Sequence, residues 1–527
     1  DSIDGGDGED IIYGDANVNY FTNTSSTGAV AIGDVVEVGT TYYRAKVAQA
    51  SVNFGTKVDY STDTTNCEVY TTYGADNLTR GAGKDTIYGG VGADTIKGGT
   101  GDDSLYGEFG DDTLLGEGGN DYLNGGTGSD TVSYAGTGSK VTVDFIQNQG
   151  FIGDETDTFV SIENAIGSSY DDVFYTSLTA SNKIDGANNA TNGDTVNYVN
   201  VSVSSTTLDK IVVDLSGTAD AQGYYSAQIY QAGVVSKTDY LKNIENITGT
   251  AGNDTITGDS GINTLVGGLG DDTLDGKAGS DSIDGGAGTD TLTYEGRAAA
   301  VTVNFNTLRA TTTSETDIFQ NIENAIGGTL DDTFIMNQDY VDNVIDGKLG
   351  TNTVSYENYT NGVIVNLSTT SAQTVLAAAT GTDHDIDTLL NIQNIIGSAK
   401  DDTFIGSNES NNINGGDGQD WVDYSVIADD ATANTFGIQV TLKGSTLSTV
   451  TVNGSANDYL RNIENIIGSK DNDIIVGDNF SNTLVGGDGD DTLTGDVGDD
   501  KLYGGNLVNG VHVDSGNDTV DYSSALE

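Results

Sequence analysis

The chain has 527 residues, with 80 Asp and Glu against 20 Lys and Arg, a formal net charge of −60. A nucleic-acid partner requires a basic surface and an anionic membrane repels acidic chains, so neither is expected as a partner. The single cysteine, Cys67, excludes an internal disulfide framework and a thiolate metal cluster. No apolar stretch approaches the ~18 residues of a membrane span, so membrane insertion is not expected either.

Residues 1–79 predict an edge repeat followed by a small β-rich insertion. The edge repeat is the solitary segment GGDGEDIIY at residues 5–13, whose sixth residue is Asp10. Residues 15–76 are rich in Thr, Val and Tyr, and within them residues 35–38 and 41–47 predict strands. The chain begins and ends inside repeats, so we expect it to be an internal piece of a longer protein.

Residues 80–134 contain an unbroken run of nonapeptides: RGAGKDTIY, GGVGADTIK, GGTGDDSLY, GEFGDDTLL, GEGGNDYLN and GGTGSDTVS. Gly recurs at positions 1, 2 and 4, Asp at position 6 and an aliphatic residue at position 8. Gly adopts positive φ without steric cost, so the first six residues predict a turn and the last three a short strand with its middle residue inward. One inward residue per nine is too little for an isolated unit, so stacked copies must share a core. Stacking places the Asp side chains in rows, and oxygen ligands of this kind suit Ca²⁺.

A longer module alternates with these runs. Residues 135–248 and 295–396 each contain two copies, and residues 425–467 contain one. Each copy begins with a position-8 aliphatic residue and, two residues later, Tyr, as in Val132-Ser133-Tyr134. It continues with an alternating strand such as VTVDF at Val141 and closes on a segment such as NIENAIGG at Asn321. The period of two predicts strands with one buried face, and we expect the modules to continue the stack as wider β-coils. The acids Glu163, Glu245, Glu323 and Glu464 in the closing segments have two alternative roles, as calcium ligands or as caps within the coil. Gln393 fills the same place in the fifth copy.

Further runs of nonapeptides are predicted at residues 249–294, at 397–424 as a short roll, and at 468–527, where the last module is cut off. In these runs Asn263, Asn411 and Asn482 replace the Asp of position 6. An amide keeps one oxygen but loses the charge, so we expect weak or no calcium binding in those turns. Strong sites should concentrate in residues 80–133 and 267–293.

The nonapeptides resemble the repeats-in-toxin (RTX, hemolysin-type calcium-binding) consensus G-G-x-G-x-D-x-U-x, where U is aliphatic. The resemblance implies a right-handed parallel β-roll with two nonapeptides per turn. It also implies calcium ions between each turn and the next but one, held by backbone carbonyls and the Asp of position 6. On this resemblance the candidate carboxylate ligands are Asp10, Asp85, Asp94, Asp103, Asp112, Asp121, Asp130, Asp254, Asp272, Asp281, Asp290, Asp420, Asp491 and Asp500. The candidate glycines of the same turns are Gly81, Gly83, Gly90, Gly92, Gly99, Gly101, Gly110, Gly119, Gly126, Gly128, Gly268, Gly270, Gly279, Gly286, Gly288, Gly416, Gly418, Gly487 and Gly489.

We therefore expect an all-β chain, an elongated parallel β-roll or β-helix solenoid of Gly-Asp nonapeptides with wider β-coils and a small β-rich insertion. The expected function is that of a calcium-dependent secreted structural protein of the bacterial cell surface, a surface-layer or fibril subunit exported by type I secretion. The alternatives are the repeat stalk of a giant adhesin and the non-catalytic secretion or folding region of an exported enzyme or toxin.

No enzyme activity is expected. With two histidines far apart, no H-E-x-x-H motif is possible, and neither a G-x-S-x-G elbow nor a phosphate loop occurs. The expected partners are calcium ions, further copies of the chain in a lattice or filament, and cell-surface polysaccharide.

Overall fold

The structure is a computed structural model. It describes residues 81–176, 180–187, 192–199, 210–338, 341–368, 373–377, 386–406, 410–427, 437–452, 456–508, 511–513 and 516–521, together with Ala75, residues 77–79 and five strands nearer the start. The chain divides into two compact units, Asp1–Asp272 and Thr273–Glu527. This division falls inside the run predicted at residues 249–294, and the predicted borders of the rolls and modules stay predictions.

In the first unit, successive nonapeptide strands alternate between two sheets, so that each strand pairs in parallel with the strand two repeats later. Ile87 is in register with Leu105, and Leu105 with Leu123, 18 residues apart each time. The strands of one sheet are Ser2–Asp4, Asn77–Thr79, Thr95–Thr100, Thr113–Gly118, Thr131–Ser133, Asn164–Ile166, Lys183–Asp185, Lys210–Asp214, Tyr225–Gln231, Val234–Lys242 and Thr255–Thr257. Those of the other are Ile11–Tyr13, Thr86–Val91, Ser104–Phe109, Tyr122–Thr127, Thr142–Asp144, Gln149–Ile152, Glu155–Val160, Val173–Tyr175, Thr195–Asn197, Asn246–Thr248 and Thr264–Leu269. The predicted β-rich insertion is a separate antiparallel sheet of Val35–Val38, Thr41–Ala45 and Cys67–Tyr70.

The second unit repeats the arrangement. The strands of one sheet are Thr273–Asp275, Thr291–Thr293, Asn324–Ile326, Val344–Asp346, Val363–Asn366, Gln373–Ala377, Ile386–Leu390, Thr403–Ile405, Trp421–Asp423, Asn465–Ile467, Thr483–Val485 and Lys501–Tyr503. Those of the other are Ser282–Ala287, Thr302–Asn304, Arg309–Thr311, Thr316–Gln320, Thr333–Ile335, Thr353–Ser355, Asn394–Ile396, Asn412–Asn414, Ile438–Thr441, Ser448–Val452, Ala456–Arg461, Ile474–Val476, Thr492–Thr494 and Thr519–Asp521. A hairpin of Asn506–Val508 and Val511–Val513 completes the described strands.

The long modules differ in form from the wider coils that the sequence suggests. In the first module, Thr142–Asp144 pairs antiparallel with Gln149–Ile152, which pairs antiparallel with Glu155–Val160. The two outer strands of this meander pair in parallel with the coils on either side, Val173–Tyr175 and Tyr122–Thr127. The extra residues thus widen the sheet by two strands while the parallel stack resumes in register. The four other modules contain equivalent meanders.

The core is a file of position-8 side chains, as the sequence predicts. In residues 81–133 these are all fully buried: Ile87, Ile96, Leu105, Leu114, Leu123 and Val132. Around the modules the core also takes in aromatic rings, among them Tyr198 and Phe174. The described residues form strands, turns and irregular segments without an α-helix, so the predicted all-β parallel solenoid is confirmed. Within the same residues, no helix has the length and apolar character to cross a membrane.

Candidate calcium sites

The position-6 carboxylates are buried and join the turns of the stack. Each of the six in residues 81–133 is at most 3 % exposed. The backbone N–H groups of Asp85 and Asp103 donate to Oδ1 of Asp103 and Asp121, in each case across 2.8 Å. The other edge has the same ladder, from Asp94 through Asp112 to Asp130. One oxygen of each accepting carboxylate, at Asp103, Asp112, Asp121 and Asp130, is therefore committed to holding the turn two repeats earlier.

The second oxygen is buried, and it has no hydrogen-bond partner at four of these acids, Asp103, Asp112, Asp121 and Asp130, nor at Asp420 and Asp491 in the later runs. A buried carboxylate oxygen without a donor is costly unless a cation neutralises it. The surroundings offer the remaining ligands of such a cation. A methyl group placed on Gly98 would overlap both Asp103 Oδ2 and the carbonyl oxygen of Gly116, two repeats later. A carboxylate oxygen and a main-chain carbonyl oxygen thus line one small space, and hard oxygen donors of this kind fit Ca²⁺.

Glycine at position 4 allows this close approach of the turns. Gly101 has φ +131°, a region that L side chains rarely adopt. A Cβ there would also collide with the carbonyl oxygen of Gly83 in the turn below. The repeated glycines therefore supply both the backbone conformation and the space through which neighbouring turns present their carbonyl groups.

The electrostatics of the edge favour a bound cation. Burial raises the pKa of Asp103 to about 6, that of Asp112 to about 7 and that of Asp121 to about 8. The acids two repeats away act in the same direction, since Asp85 and Asp94 add repulsion to Asp103 and Asp112. A divalent ion between the turns would remove both costs.

Side chains alone do not complete a site. In the part of the chain that the structure describes, no three His, Cys, Asp or Glu side chains converge as potential ligands of one metal ion. Main-chain carbonyl oxygens beside the carboxylates, as in the space at Gly98, are further potential ligands.

A protein-family model for the RTX calcium-binding nonapeptide repeat matches seven segments of the chain, at residues 1–21, 70–105, 97–132, 243–261, 257–292, 394–425 and 476–507. The chain carries RTX calcium-binding repeats. The predicted resemblance is thereby confirmed, and these repeats bind calcium in proteins that are typically secreted. The matched segments cover the RTX rolls and leave most of each long module unmatched. No curated protein matches the chain.

The structure places the candidate RTX ligands as follows. The carboxylates of the later runs are buried like those of the first, with the exception of the half-buried Asp500: they are Asp254, Asp272, Asp281, Asp290, Asp420 and Asp491. The candidate glycines adopt positive φ at positions 2 and 4, apart from Gly81. Asp10 lies outside the described residues. The number of ions and their individual ligands stay predictions.

The closing acids of the modules cap the RTX ladder. Glu163 Oε2 accepts the N–H of Asp130 across 2.9 Å, as a position-6 Asp does in the next-but-one turn of a roll. Glu245, Glu323 and Glu464 accept the N–H of Asp194, Asp290 and Asp420 in the same way. Gln393 Oε1 does so for Asn352 across 2.8 Å. Because an uncharged amide makes the same bond, the structure favours the capping role for this position over a calcium ligand.

A buried tyrosine-carboxylate pair in the modules escaped sequence reasoning. Tyr294 is 1 % exposed and its hydroxyl donates to Oδ2 of the equally buried Asp317 across 2.8 Å. Oδ1 of Asp317 accepts the N–H of Asp281, so this acid is the position-6 residue of the coil that closes the meander. The same pair recurs as Tyr134 with Asp157, Tyr356 with Asp387 and Tyr424 with Asp458. The signal was present, because each of these acids precedes the closing Glu or Gln by six residues.

The asparagines at position 6 have a structural role, and the weak or absent calcium binding expected of their turns stays a prediction. Asn263 Nδ2 donates to the carbonyl oxygen of Glu245 across 2.8 Å, and Asn482 Nδ2 to that of Glu464 across 2.9 Å. Asn182, Asn343 and Asn411 make the same bond to residues 163, 323 and 393. In a roll this carbonyl accepts a strand N–H, as Asp85 O does from Ser104. These asparagines therefore replace a main-chain donor in the turn above each closing segment, and a carboxylate could not do so.

Proposed function

We propose that the chain is a calcium-dependent extracellular structural protein of the bacterial cell surface, a surface-layer or fibril subunit without catalytic activity. The observation that carries this proposal is the row of buried carboxylate oxygens without hydrogen-bond partners, repeated at Asp103, Asp112, Asp121 and Asp130. Such a row makes cation binding a property of the stack itself and not of one local site.

Folding and calcium binding are coupled in this proposal. The acids of the ladder are at most 3 % exposed in residues 81–133, and their burial without a counter-ion opposes folding. Repulsion among like charges, in a chain with a net charge of −60, also opposes its compaction. Calcium binding relieves both effects only when two turns come together, so its binding free energy contributes directly to folding. Such a chain would stay unfolded during type I export and fold outside the cell.

A structural role is supported by how the described strands are used. From Asn77–Thr79 to Lys501–Tyr503 each described strand belongs either to the parallel ladders or to one of the inserted meanders. This part of the chain is repetitive in both units, which suits a subunit that presents the same surface many times. Calcium can then also bridge acidic surfaces of neighbouring copies, as expected for a lattice or filament.

Electron microscopy of the purified chain tests the assembly. We expect ordered sheets or filaments in millimolar calcium and none in chelator or in magnesium at the same ionic strength. The Asp112→Asn variant removes one ladder charge and should require more calcium both to fold and to assemble, whereas Asp154→Asn, on an exposed turn, should behave as the parent chain. A calcium-loaded chain that stays a monodisperse monomer at high concentration would contradict the proposal and favour an adhesin stalk or an export region.

A further inference from the structure

The second long module buries a lysine at the edge where the rolls carry glycine. The Lys237 side chain is 4 % exposed, and it lies two residues before Asp239, whose side chain is fully buried. Asp239 is the position-6 residue of its coil, because its Oδ1 accepts the N–H of Asn182 in the turn below across 2.8 Å. Lys237 is therefore the position-4 residue, the place that Gly101 occupies in a roll.

The lysine ammonium joins two turns of the stack. Its Nζ donates to the carbonyl oxygen of Ala180 across 3.0 Å and lies 3.1 Å from Oδ2 of Asp239. Ala180 is itself two residues before Asn182, so its carbonyl belongs to position 4 of the lower turn. A main-chain carbonyl from one turn and the position-6 carboxylate of the next but one thus converge on one positive charge.

This pair of oxygens is of the kind that the RTX rolls offer to an ion. At Gly418, which occupies position 4 of a roll, an added Cβ would lie 2.6 Å from the carbonyl oxygen of Lys400, at position 4 of the turn below, and 2.9 Å from Oδ1 of the position-6 Asp420. At the second module the ammonium supplies the positive charge and the hydrogen-bond donors that the buried carboxylate needs. We propose that Lys237 replaces a calcium ion between residues 180–185 and 237–242, so that this junction of the stack forms without calcium.

Two sister modules carry an acidic residue at the position of Lys237. Glu155 and Glu315 occupy the place of Lys237 in the first and third modules, each two residues before the buried acid of its coil. In the third module, Glu315 accepts the N–H of Gly279 across 3.0 Å and forms an ion pair with Arg297. A positive side chain therefore reaches this edge in two modules by different routes, as Lys237 itself in one and as Arg297 in the other.

As a consequence, some junctions between turns need calcium in order to form and others do not. The turn of residues 180–187 is held from above by Lys237 and tied to the turn below by the Asn182 amide, which donates to the carbonyl of Glu163 across 2.8 Å. Nitrogen donors thus join this turn to its neighbours on both sides, and on the upper side the donor is the Lys237 ammonium. The inference rests on calcium binding by the RTX repeats and is independent of the proposed role at the cell surface.

Substitution of Lys237 in the full chain tests the inference. Lys237→Glu reproduces the residue of the sister modules and gathers Glu, Asp239 and the Ala180 carbonyl into a set of oxygen ligands. We expect this variant to fold in saturating calcium, to bind one more calcium ion per chain than the parent, and to need a higher calcium concentration at the midpoint of folding. Lys140→Glu makes the same change of charge at an exposed residue and should leave the ion count unchanged.

A second substitution keeps the test decisive. Lys237→Met removes the charge without adding an oxygen ligand, so it should fold less stably than the parent at every calcium concentration and gain no ion. The inference is overturned if Lys237→Met is as stable as the parent. It is also overturned if Lys237→Glu binds no additional calcium, or if it fails to fold in saturating calcium under conditions where Lys237→Met folds.

Discussion

Replacing Asn482 by Asp restores the RTX consensus at position 6, yet we expect it to destabilise the second unit. Asn482 is 1 % exposed and makes three hydrogen bonds. Its Nδ2 donates to the carbonyl of Glu464 across 2.9 Å, its Oδ1 accepts the N–H of Asp478 across 2.8 Å, and its own N–H donates to Asp500 Oδ1 across 2.9 Å. An aspartate can keep the second and third bonds but not the first.

The size of the effect follows from that lost donor. The carbonyl of Glu464 would remain buried without a partner, which costs about 1–3 kcal/mol. A carboxylate oxygen would also lie where the amide nitrogen is now, beside the carbonyl oxygen, and the repulsion adds to the cost. We expect Asn482→Asp to lower the free energy of unfolding by about 2–4 kcal/mol, at high and at low calcium alike.

Urea unfolding of the full chain, followed by the fluorescence of the single tryptophan, measures this change. Trp421 is in register with Asn465, whose strand pairs with the strand of Thr483, directly after Asn482. Asn472→Asp is the control, because Asn472 is exposed and its Oδ1 only accepts a hydrogen bond, from Asp490 N–H. If Asn482→Asp were as stable as the parent and bound more calcium, Asn482 would be a weakened calcium ligand and our assignment of its role would be refuted.

Three further predictions concern other parts of the molecule. Tyr294→Phe should cost about 1.5–3 kcal/mol in urea unfolding, because Asp317 loses a donor in the core; Tyr240→Phe, at an exposed ring, should cost nothing measurable. Ser161 has φ +50°, a left-handed conformation that Asn adopts more readily, and the other four modules have Asn at this place. Ser161→Asn should therefore raise the urea midpoint by the equivalent of about 1 kcal/mol, and an unchanged midpoint would contradict this. When calcium is removed by a chelator, lowering the pH from 7.5 to 5.5 should increase the β-type circular dichroism signal of the chain. Burial raises the pKa of Asp121 to about 8. A carboxyl group whose pKa is raised on folding stabilises the folded state at low pH, and this contribution is lost as the pH rises through the raised pKa. A circular dichroism signal that falls on acidification would contradict this prediction.

The sequence predicted the parts of the structure that depend on periodicity. Position 8 keeps its phase through each run, and the buried file of Ile87, Leu105 and Leu123 follows from it directly. Position 6 likewise predicted rows of acids, and the structure adds that these acids are buried. These features are local and repeated, so a single unit and the rule of stacking suffice to derive them.

The meanders could not be derived in the same way. Their middle strands, such as Gln149–Ile152 and Arg309–Thr311, share no common pattern, since they lie between two other strands and contribute few core residues. Whether extra residues form a wider coil or a meander depends on pairing between segments, which hydrophobic periodicity does not specify. Asp157 and its counterparts could not be recognised in the sequence for another reason. In a chain with 80 acidic residues, one more Asp at a fixed spacing is conspicuous only once its buried tyrosine partner is known.

The spacing of the modules determines which sheet each of them widens. Within the second unit, four single strands separate the meander at residues 302–320 from that at 363–390, and four more separate the latter from the meander at 438–461. Successive strands alternate between the two sheets, and each meander takes the place of one strand. The next meander therefore comes five places later, and because five is an odd number it lies in the opposite sheet. The first unit obeys the same rule, with meanders at 142–160 and 210–242 on opposite sheets. Each sheet is therefore widened in turn. The ladder of position-6 residues is interrupted at each insertion and resumes in the coil above it. The last strand of the first meander pairs in parallel register with the coil below, as Phe159 does beside Leu123, whereas its first strand leads to the coil above, where the Val141 N–H donates to Asp172 Oδ1. The modules can thus vary in length and surface while the coils on either side keep their position-6 acids.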